Sequence, residues 1–255
     1  IIMNVSATAS GTSRKRKLFL GWPMVVLTFC LAVVTQGFGI YHFSMLKDMI
    51  SEATGAGPTE VAFAYSFYAL SMAFVGLFVG DTIGKIGIRK VLVASAVLYG
   101  GGFLLLSTVD NLPMLYLTYI IMGAGSSCGG VVVITGIPSN WFVKHRGTAN
   151  GIIWSATFVG SLFVTNFIAF MTTTARWQDA AVWLAAIAAV IILAVSLFLR
   201  WRPQEMGLLP DGLTPEEAAA ERENAGSAKN VGLTRTQAVR TRTFWVLGAA
   251  IFLTG

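Results

Sequence analysis

The sequence predicts an all-α membrane protein built around a bundle of six transmembrane helices. Two properties of its 255 residues carry this prediction: 55% are hydrophobic and only 12% are charged, whereas an average soluble domain carries about 25% charged residues. The apolar residues also fall into runs of about 20 or more, the length that crosses a hydrocarbon core of ~30 Å. We therefore do not expect a water-soluble fold.

Six complete apolar runs can be placed along the chain. We predict transmembrane helices over residues 22–46, 60–83, 89–108, 112–138, 148–170 and 178–200. The bundle thus covers 22–200, after a cytoplasmic tail over 1–21 and before a cytoplasmic central loop over 201–242. A further apolar run over 243–255 is too short to cross a bilayer. We expect it to be the truncated start of a seventh helix, with a second six-helix half missing from this chain.

The central loop contains a helix signal of its own. Thr214, followed by Pro215 and two glutamates, is typical of a helix N-terminus. The pattern predicts a short surface helix that ends near Asn224, with a flexible linker after it.

The distribution of positive charge predicts the orientation in the membrane. The net charge is +6, and with a cytoplasmic N-terminus sixteen of the eighteen Lys and Arg fall in cytoplasmic segments, including the cluster at 14–17. Only Lys47 and Arg176 fall outside. This asymmetry is the positive-inside pattern, so we expect a multi-pass protein of the cell inner membrane or plasma membrane. The basic excess is then a topology signal and does not indicate nucleic-acid binding.

Signals for chemical catalysis are missing from the sequence. It shows no metal-ligand cluster, nucleotide-binding loop or nucleophile with a base partner, so we expect no enzyme activity, no cofactor and no metal. The glycine-rich stretch 123–130 lies inside the fourth span and cannot be a phosphate-binding loop. We interpret it as a surface for close helix packing, with room for a solute as the alternative.

Glycines and charged residues occupy the connection between the second and third spans: Gly80, Asp81, Lys85, Gly87, Arg89 and Lys90. The connection resembles the loop signature G-x-x-x-D-[RK]-x-G-x-[RK]-[RK] of the major facilitator superfamily, and the resemblance implies a loop that latches one conformation of a transporter. The acidic position of the signature is Gly84 here. Asp81 lies three residues earlier on nearly the same helix face, either as a substitute for that carboxylate or as an ordinary helix-end residue.

A second motif lies between the fourth and fifth spans, over residues 140–151. It resembles the turn W-F-x-[KR]-x-R-G-x-A-x-G of the monocarboxylate and oxalate/formate porter branch of that superfamily. In this interpretation Trp141 is an interfacial anchor and Arg146 an inner-face cation, while Gly147 and Gly151 form a small-xxx-small helix contact. The run over 202–212 is similar to the R-P-E-x-x-G-L-x-P-D-G run of the same branch, so the resemblance covers nearly the whole chain.

Polar and aromatic residues inside the spans are candidates for substrate binding, because polar groups are costly when they face lipid. The candidates are Gln36, Tyr41, His42, Tyr65, Tyr68 and Trp154. Tyr41 matches the G-x-Y-x-x-[ST] pattern of oxalate/formate-type porters, with a place in the outer interfacial belt as the alternative. Tyr65 and Tyr68 share one helix face, either towards a cavity or in ordinary packing. His42 is the candidate for carrying a coupling proton, unless it is an exposed interfacial residue.

The resemblance implies secondary active transport of a small organic anion, a monocarboxylate or dicarboxylate, by alternating access. The interiors of the spans contain no Asp, Glu, Lys or Arg apart from Asp81 near an inner end. We therefore expect an anion-pairing cation in the second half, and a proton or a counter-substrate as the coupling partner in a symporter or antiporter. The alternatives are transport of a neutral solute and a non-transporting receptor or scaffold with the same fold.

Overall fold

The computed structural model describes residues 20–213 and 240–246. In these residues it contains helices and no strand, and six helices are long and apolar enough to cross a membrane. They are α1 (Gly21–Thr54), α2 (Pro58–Ile86), α3 (Ile88–Leu106), α4 (Leu112–Trp141), α5 (Arg146–Thr174) and α6 (Trp177–Phe198). The predicted all-α, six-span fold is confirmed.

The chain divides into two compact units, Ile1–Leu213 and Thr214–Gly255. In the second unit only residues 240–246 are described, and 242–246 are helical. The basic cluster at 14–17, the surface helix expected between Thr214 and Asn224, and most of the predicted seventh helix lie outside the described residues.

The ends of the helices follow local signals. α1 continues to Thr54, beyond the predicted end at 46, because its last turns carry exposed charged residues that interrupt the apolar run without breaking the helix. It stops at Gly55, which adopts a left-handed φ of 66°. α2 then begins with Pro58 in its first turn, and the Glu60 carboxylate accepts the Gly57 N–H at 2.8 Å, a typical helix start.

Two helices, α1 and α4, are interrupted near their middles. In α1 a π-helical segment, Val33–Phe38, separates two α-helical parts. In α4 the parts Leu112–Cys128 and Val131–Trp141 are separated by Gly129 and Gly130. Interruptions of this kind are frequent at functional sites, and these two lie against each other in the bundle.

The packing of the helices is repeated within the bundle. α2 packs against α4, α4 against α3, and α3 against α6, while α1 packs against α5, α6 and the second part of α4. If α1, α2 and α3 are exchanged for α4, α5 and α6, the pair α2–α4 becomes α5–α1 and the pair α3–α4 becomes α6–α1. Both of these pairs are present. The bundle therefore consists of two three-helix repeats.

Small residues allow the helices to approach closely. A Cβ atom at Gly125 of α4 would collide with the backbone of Leu98 and Tyr99 in α3, and one at Gly160 of α5 would collide with the Val33 carbonyl of α1. The predicted packing role of the glycine-rich stretch in α4 is confirmed by these contacts, which only glycine permits.

Candidate functional site

A continuous array of aromatic rings lies at the centre of the bundle. In order of contact it runs through Phe43, Tyr65, Tyr68, Tyr119, His42, Phe103 and Tyr99, with ring centroids 5.0, 5.5, 6.5, 5.7, 5.0 and 5.1 Å apart. Each distance lies within the range of aromatic contact. This aromatic array joins α1, α2, α3 and α4.

Three of the predicted substrate-binding residues belong to the aromatic array. Tyr65 and Tyr68 stack at an interplanar angle of 16°, and Tyr68 is almost fully buried whereas Tyr65 is half-buried. His42 is fully buried, so it is not an exposed interfacial residue. Its Nδ1–H donates to the Phe38 carbonyl at 2.6 Å.

A chain of hydrogen bonds connects the aromatic array to the interrupted parts of α1 and α4. The Tyr68 hydroxyl donates to Ser126 Oγ at 2.9 Å, and Ser126 donates to the Thr35 carbonyl at 3.1 Å. The Thr35 hydroxyl in turn lies 3.3 Å from the Gly129 carbonyl. Because all of these groups are buried, the chain holds the two interruptions together and orients the Tyr68 ring.

Three buried polar atoms in the same region have no hydrogen-bond partner among the described residues: Gln36 Nε2, His42 Nε2 and Tyr119 Oη. Gln36 lies in the π-helical segment of α1 and is 6% exposed. A Cβ atom at Gly130 would lie 3.3 Å from its amide nitrogen. Each unpaired buried group costs about 1–3 kcal/mol, so their concentration on α1 and α4 marks the polar centre of the bundle.

The other two predicted residues lie apart from the aromatic array. Tyr41 is half-buried against the hydrophobic core, and Trp154 on α5 is 41% exposed. Sequence reasoning in turn missed Tyr119 and Ser126 as members of the site. The only signal for them was a polar group inside an apolar span, which in Ser126 was obscured by the surrounding small residues.

The turn between α2 and α3 is exposed along most of its length, including all six residues of the predicted latch loop. Gly87 joins the two helices with a left-handed φ of 84°, a conformation that favours glycine. The Arg89 guanidinium donates to the Leu197 carbonyl in the last turn of α6 at 2.6 Å, where a cation is favourable. At Gly84 no described atom lies within 4 Å of a built Cβ position.

The turn between α4 and α5 is anchored by two fully buried rings, Trp141 and Phe142. The Trp141 indole N–H donates to the Arg200 carbonyl at 3.1 Å, in the segment that follows α6. Arg146 Nε donates to the Phe142 carbonyl. Beside Gly147 and Gly151 no described atom lies within 4 Å of a built Cβ position, so the described helices make no close contact at either glycine.

Within residues 20–213 and 240–246, no group of three or more His, Cys, Asp or Glu side chains is arranged to hold a metal ion.

The chain is similar to several known membrane transporters. It is 24% identical to the oxalate:formate antiporter of Oxalobacter formigenes, over 98% of this chain and 55% of that protein. It is 27% identical to the uncharacterized MFS-type transporter YcxA of Bacillus subtilis, over 69% of this chain and 43% of that protein. It is also 27% identical to monocarboxylate transporter 9 of Rattus norvegicus, over 77% of this chain and 38% of that protein. The chain spans about half the length of the curated relatives it matches.

The family model of the Major Facilitator Superfamily matches residues 27–255. This range contains the α2–α3 and α4–α5 turns and all six helices apart from the first residues of α1. The resemblance inferred from the two loop motifs is confirmed. The chain is a multi-pass membrane protein, and it belongs to the Major Facilitator Superfamily.

Proposed function

We propose that the full-length protein is a secondary transporter that moves a small organic anion, a monocarboxylate or dicarboxylate, by alternating access of two six-helix halves. The likeness to the oxalate:formate antiporter along 98% of the chain carries this proposal. The aromatic array supports it, because the hydroxyl groups of its tyrosines can donate hydrogen bonds to a carboxylate.

In this proposal the substrate contacts come from Gln36, Tyr41, His42, Tyr65, Tyr68 and Trp154. Tyr65 is central because it is half-buried between Phe43 and Tyr68 in the aromatic array, and its hydroxyl makes no hydrogen bond within the described residues. A carboxylate removed from water needs a compensating positive charge. The second half supplies that cation, and a proton or a counter-substrate completes the cycle.

The proposed orientation has the N-terminal tail and both inner turns in the cytoplasm, in the cell inner membrane or plasma membrane. Residues 1–21 form the tail and 201–242 the central loop between the halves. The charge asymmetry of the sequence supports this arrangement. The chain acts on its solute by carrying it, without chemical conversion.

The proposal is tested by reconstituting the full-length protein in liposomes and measuring exchange of labelled oxalate, formate and lactate. We expect saturable exchange for at least one of them. Tyr65→Phe should raise KM about fivefold, since one hydrogen bond is worth about 1 kcal/mol. Tyr116→Phe is the matched control, because the Tyr116 hydroxyl already donates to the Glu60 carbonyl at 3.1 Å. Absence of exchange for every carboxylate, in a well-folded protein, would refute the proposal.

A second candidate function is transport of a neutral solute. The observation that favours it is the absence of Asp, Glu, Lys and Arg from the stretches 61–80, 91–109, 111–143 and 147–175. Competition separates the two functions. Excess unlabelled carboxylate should abolish flux in an anion transporter, whereas a sugar or polyol should abolish it in a transporter of neutral solutes.

A further inference from the structure

The segment that follows α6, residues 200–213, folds back onto the turn between α4 and α5. We refer to it as the clasp segment. Its first two carbonyls accept side-chain hydrogen bonds from α4: Trp141 Nε1 donates to the Arg200 carbonyl and Asn140 Nδ2 to the Trp201 carbonyl, both at 3.1 Å. A Cβ atom at Gly136 would collide with the Trp201 ring. The clasp segment is therefore packed against the inner end of α4.

Asp211 makes the contact at the other end of the clasp segment. Its Oδ2 accepts the backbone N–H groups of Val143 at 2.8 Å and Lys144 at 2.9 Å. Among the described residues Asp211 is the one non-glycine with positive φ, at 55°. A non-glycine residue held in this region is strained, and such strain concentrates at functional positions. Asp211 therefore accepts both hydrogen bonds while its own backbone is held in a locally unfavourable conformation.

We infer that Asp211 is a positioning residue for transport, which fixes the α4–α5 turn to the end of α6 by accepting both amide hydrogens. The turn carries Lys144 and Arg146, two of the cations expected at the inner face. The inference rests on the proposed function, because alternating access requires the inner ends of each half to move together. Arg89 joins the α2–α3 turn to the same end of α6 through the Leu197 carbonyl.

The exposure of the turn separates a positioning role from a purely structural one. Val143 is 52% exposed and Lys144 is exposed, so water can satisfy both amides when the carboxylate is removed. Loss of Asp211 should therefore leave the six-helix bundle folded while the turn loses its fixed position. The consequence is expected in the rate of the transport cycle and not in substrate affinity.

The test compares Asp211→Gly and Asp211→Asn with wild type in the full-length protein. Glycine adopts a left-handed φ without strain, so Asp211→Gly removes the carboxylate and keeps the backbone. Asparagine also tolerates this conformation and retains an acceptor oxygen, which accepts weaker hydrogen bonds than a carboxylate. Glu205→Gln is the matched control, because Glu205 is an exposed acid of the same segment.

Two quantities are measured: amide hydrogen exchange over residues 142–146, and Vmax and KM for carboxylate exchange. For Asp211→Gly we expect amide exchange to accelerate about tenfold and Vmax to fall several-fold with KM within about twofold of wild type. Asp211→Asn should be intermediate on both measures. Glu205→Gln should match wild type.

Unchanged amide exchange in Asp211→Gly would overturn the inference. Faster exchange with unchanged Vmax and KM, or a rise in KM alone, would overturn the positioning role. A wild-type protein that carries no carboxylate would instead count against the proposed function, and faster amide exchange in Asp211→Gly would then still support the contact between Asp211 and the turn.

Discussion

The α2–α3 and α4–α5 turns of the bundle both resemble motifs of the same superfamily, yet they differ in burial and in their contacts. The α2–α3 turn is exposed, and one side-chain hydrogen bond from Arg89 joins it to α6. The α4–α5 turn contains two fully buried rings, and both ends of the clasp segment are hydrogen-bonded to it. The second turn is therefore part of the architecture of this half, whereas the charges of the first are accessible to groups outside it.

The first prediction concerns the buried part of the α4–α5 turn and has the largest expected effect. Trp141→Ala should destabilise the bundle by about 3–5 kcal/mol, the usual result of truncating a fully buried aromatic side chain. Thermal or denaturant unfolding of the full-length protein in detergent measures it. Trp154→Ala is the control, since Trp154 is 41% exposed, and its effect should be much smaller. Equal losses in the two variants would show that Trp141 is not a core residue.

The second prediction concerns the backbone of the α2–α3 turn. Gly87→Ala should cost about 1–3 kcal/mol, because its φ of 84° and ψ of 155° define a backbone conformation that essentially only glycine adopts. Gly84→Ala should instead stabilise α2 by up to about 1 kcal/mol, since Ala is a better helix former than Gly and the space beside it is open. The same unfolding measurement applies. If Gly87→Ala is as stable as Gly84→Ala, the turn does not depend on glycine geometry.

The third prediction removes the side-chain hydrogen bond from Arg89 that joins the α2–α3 turn to α6. Arg89→Gln should cost about 1 kcal/mol or less, because a single exposed hydrogen bond to the Leu197 carbonyl is lost. Lys90→Gln, at the neighbouring exposed position, serves as the control and should leave unfolding unchanged. A larger loss of stability in Lys90→Gln than in Arg89→Gln would show that Lys90, and not Arg89, anchors the turn.

The fourth prediction separates stability from transport at the position that departs from the family signature. Gly84→Asp should change the free energy of unfolding by less than about 0.5 kcal/mol, as expected for an exposed site with open space. It should nevertheless alter Vmax for carboxylate exchange, because an added carboxylate at the latch biases one conformation. An unchanged Vmax would indicate that the turn does not act as a latch at this position, and that Asp81 is the residue to test next.

Most of the fold could be predicted from the sequence, because the length of an apolar run is a local property of the chain. The interruption of α1 could not be predicted, since Gly37 and Gly39 are its only local sign and the π-helical segment is held by contacts with α4 and α5. The contacts between the α4–α5 turn and the clasp segment join residues that lie 59 to 68 positions apart in the sequence, such as Trp141 with Arg200 and Val143 with Asp211. Local patterns carry no information about such pairs.

In the candidate site, too, local spacing predicted some contacts, whereas contacts between distant residues could not be predicted. Tyr65 and Tyr68 could be placed on one face from their spacing, and they stack in the structure. The participation of Tyr119 could not be predicted, because it requires α4 to pack between α2 and α3. His42 was expected either in a proton-coupling role or at an exposed interface, and only its packing against Phe103 and Tyr119 decides that it is buried.

Ligand-induced stabilisation of the full-length protein tests the proposed transport of small organic anions most directly. A ligand at 100 times its Kd stabilises the native state by about 2.7 kcal/mol, which is readily detected as a rise in Tm. We predict that at least one small carboxylate from a panel of oxalate, formate, lactate and malonate raises Tm, and that neutral analogues such as glycolamide and glycerol do not. Stabilisation by the neutral analogues alone would contradict the account.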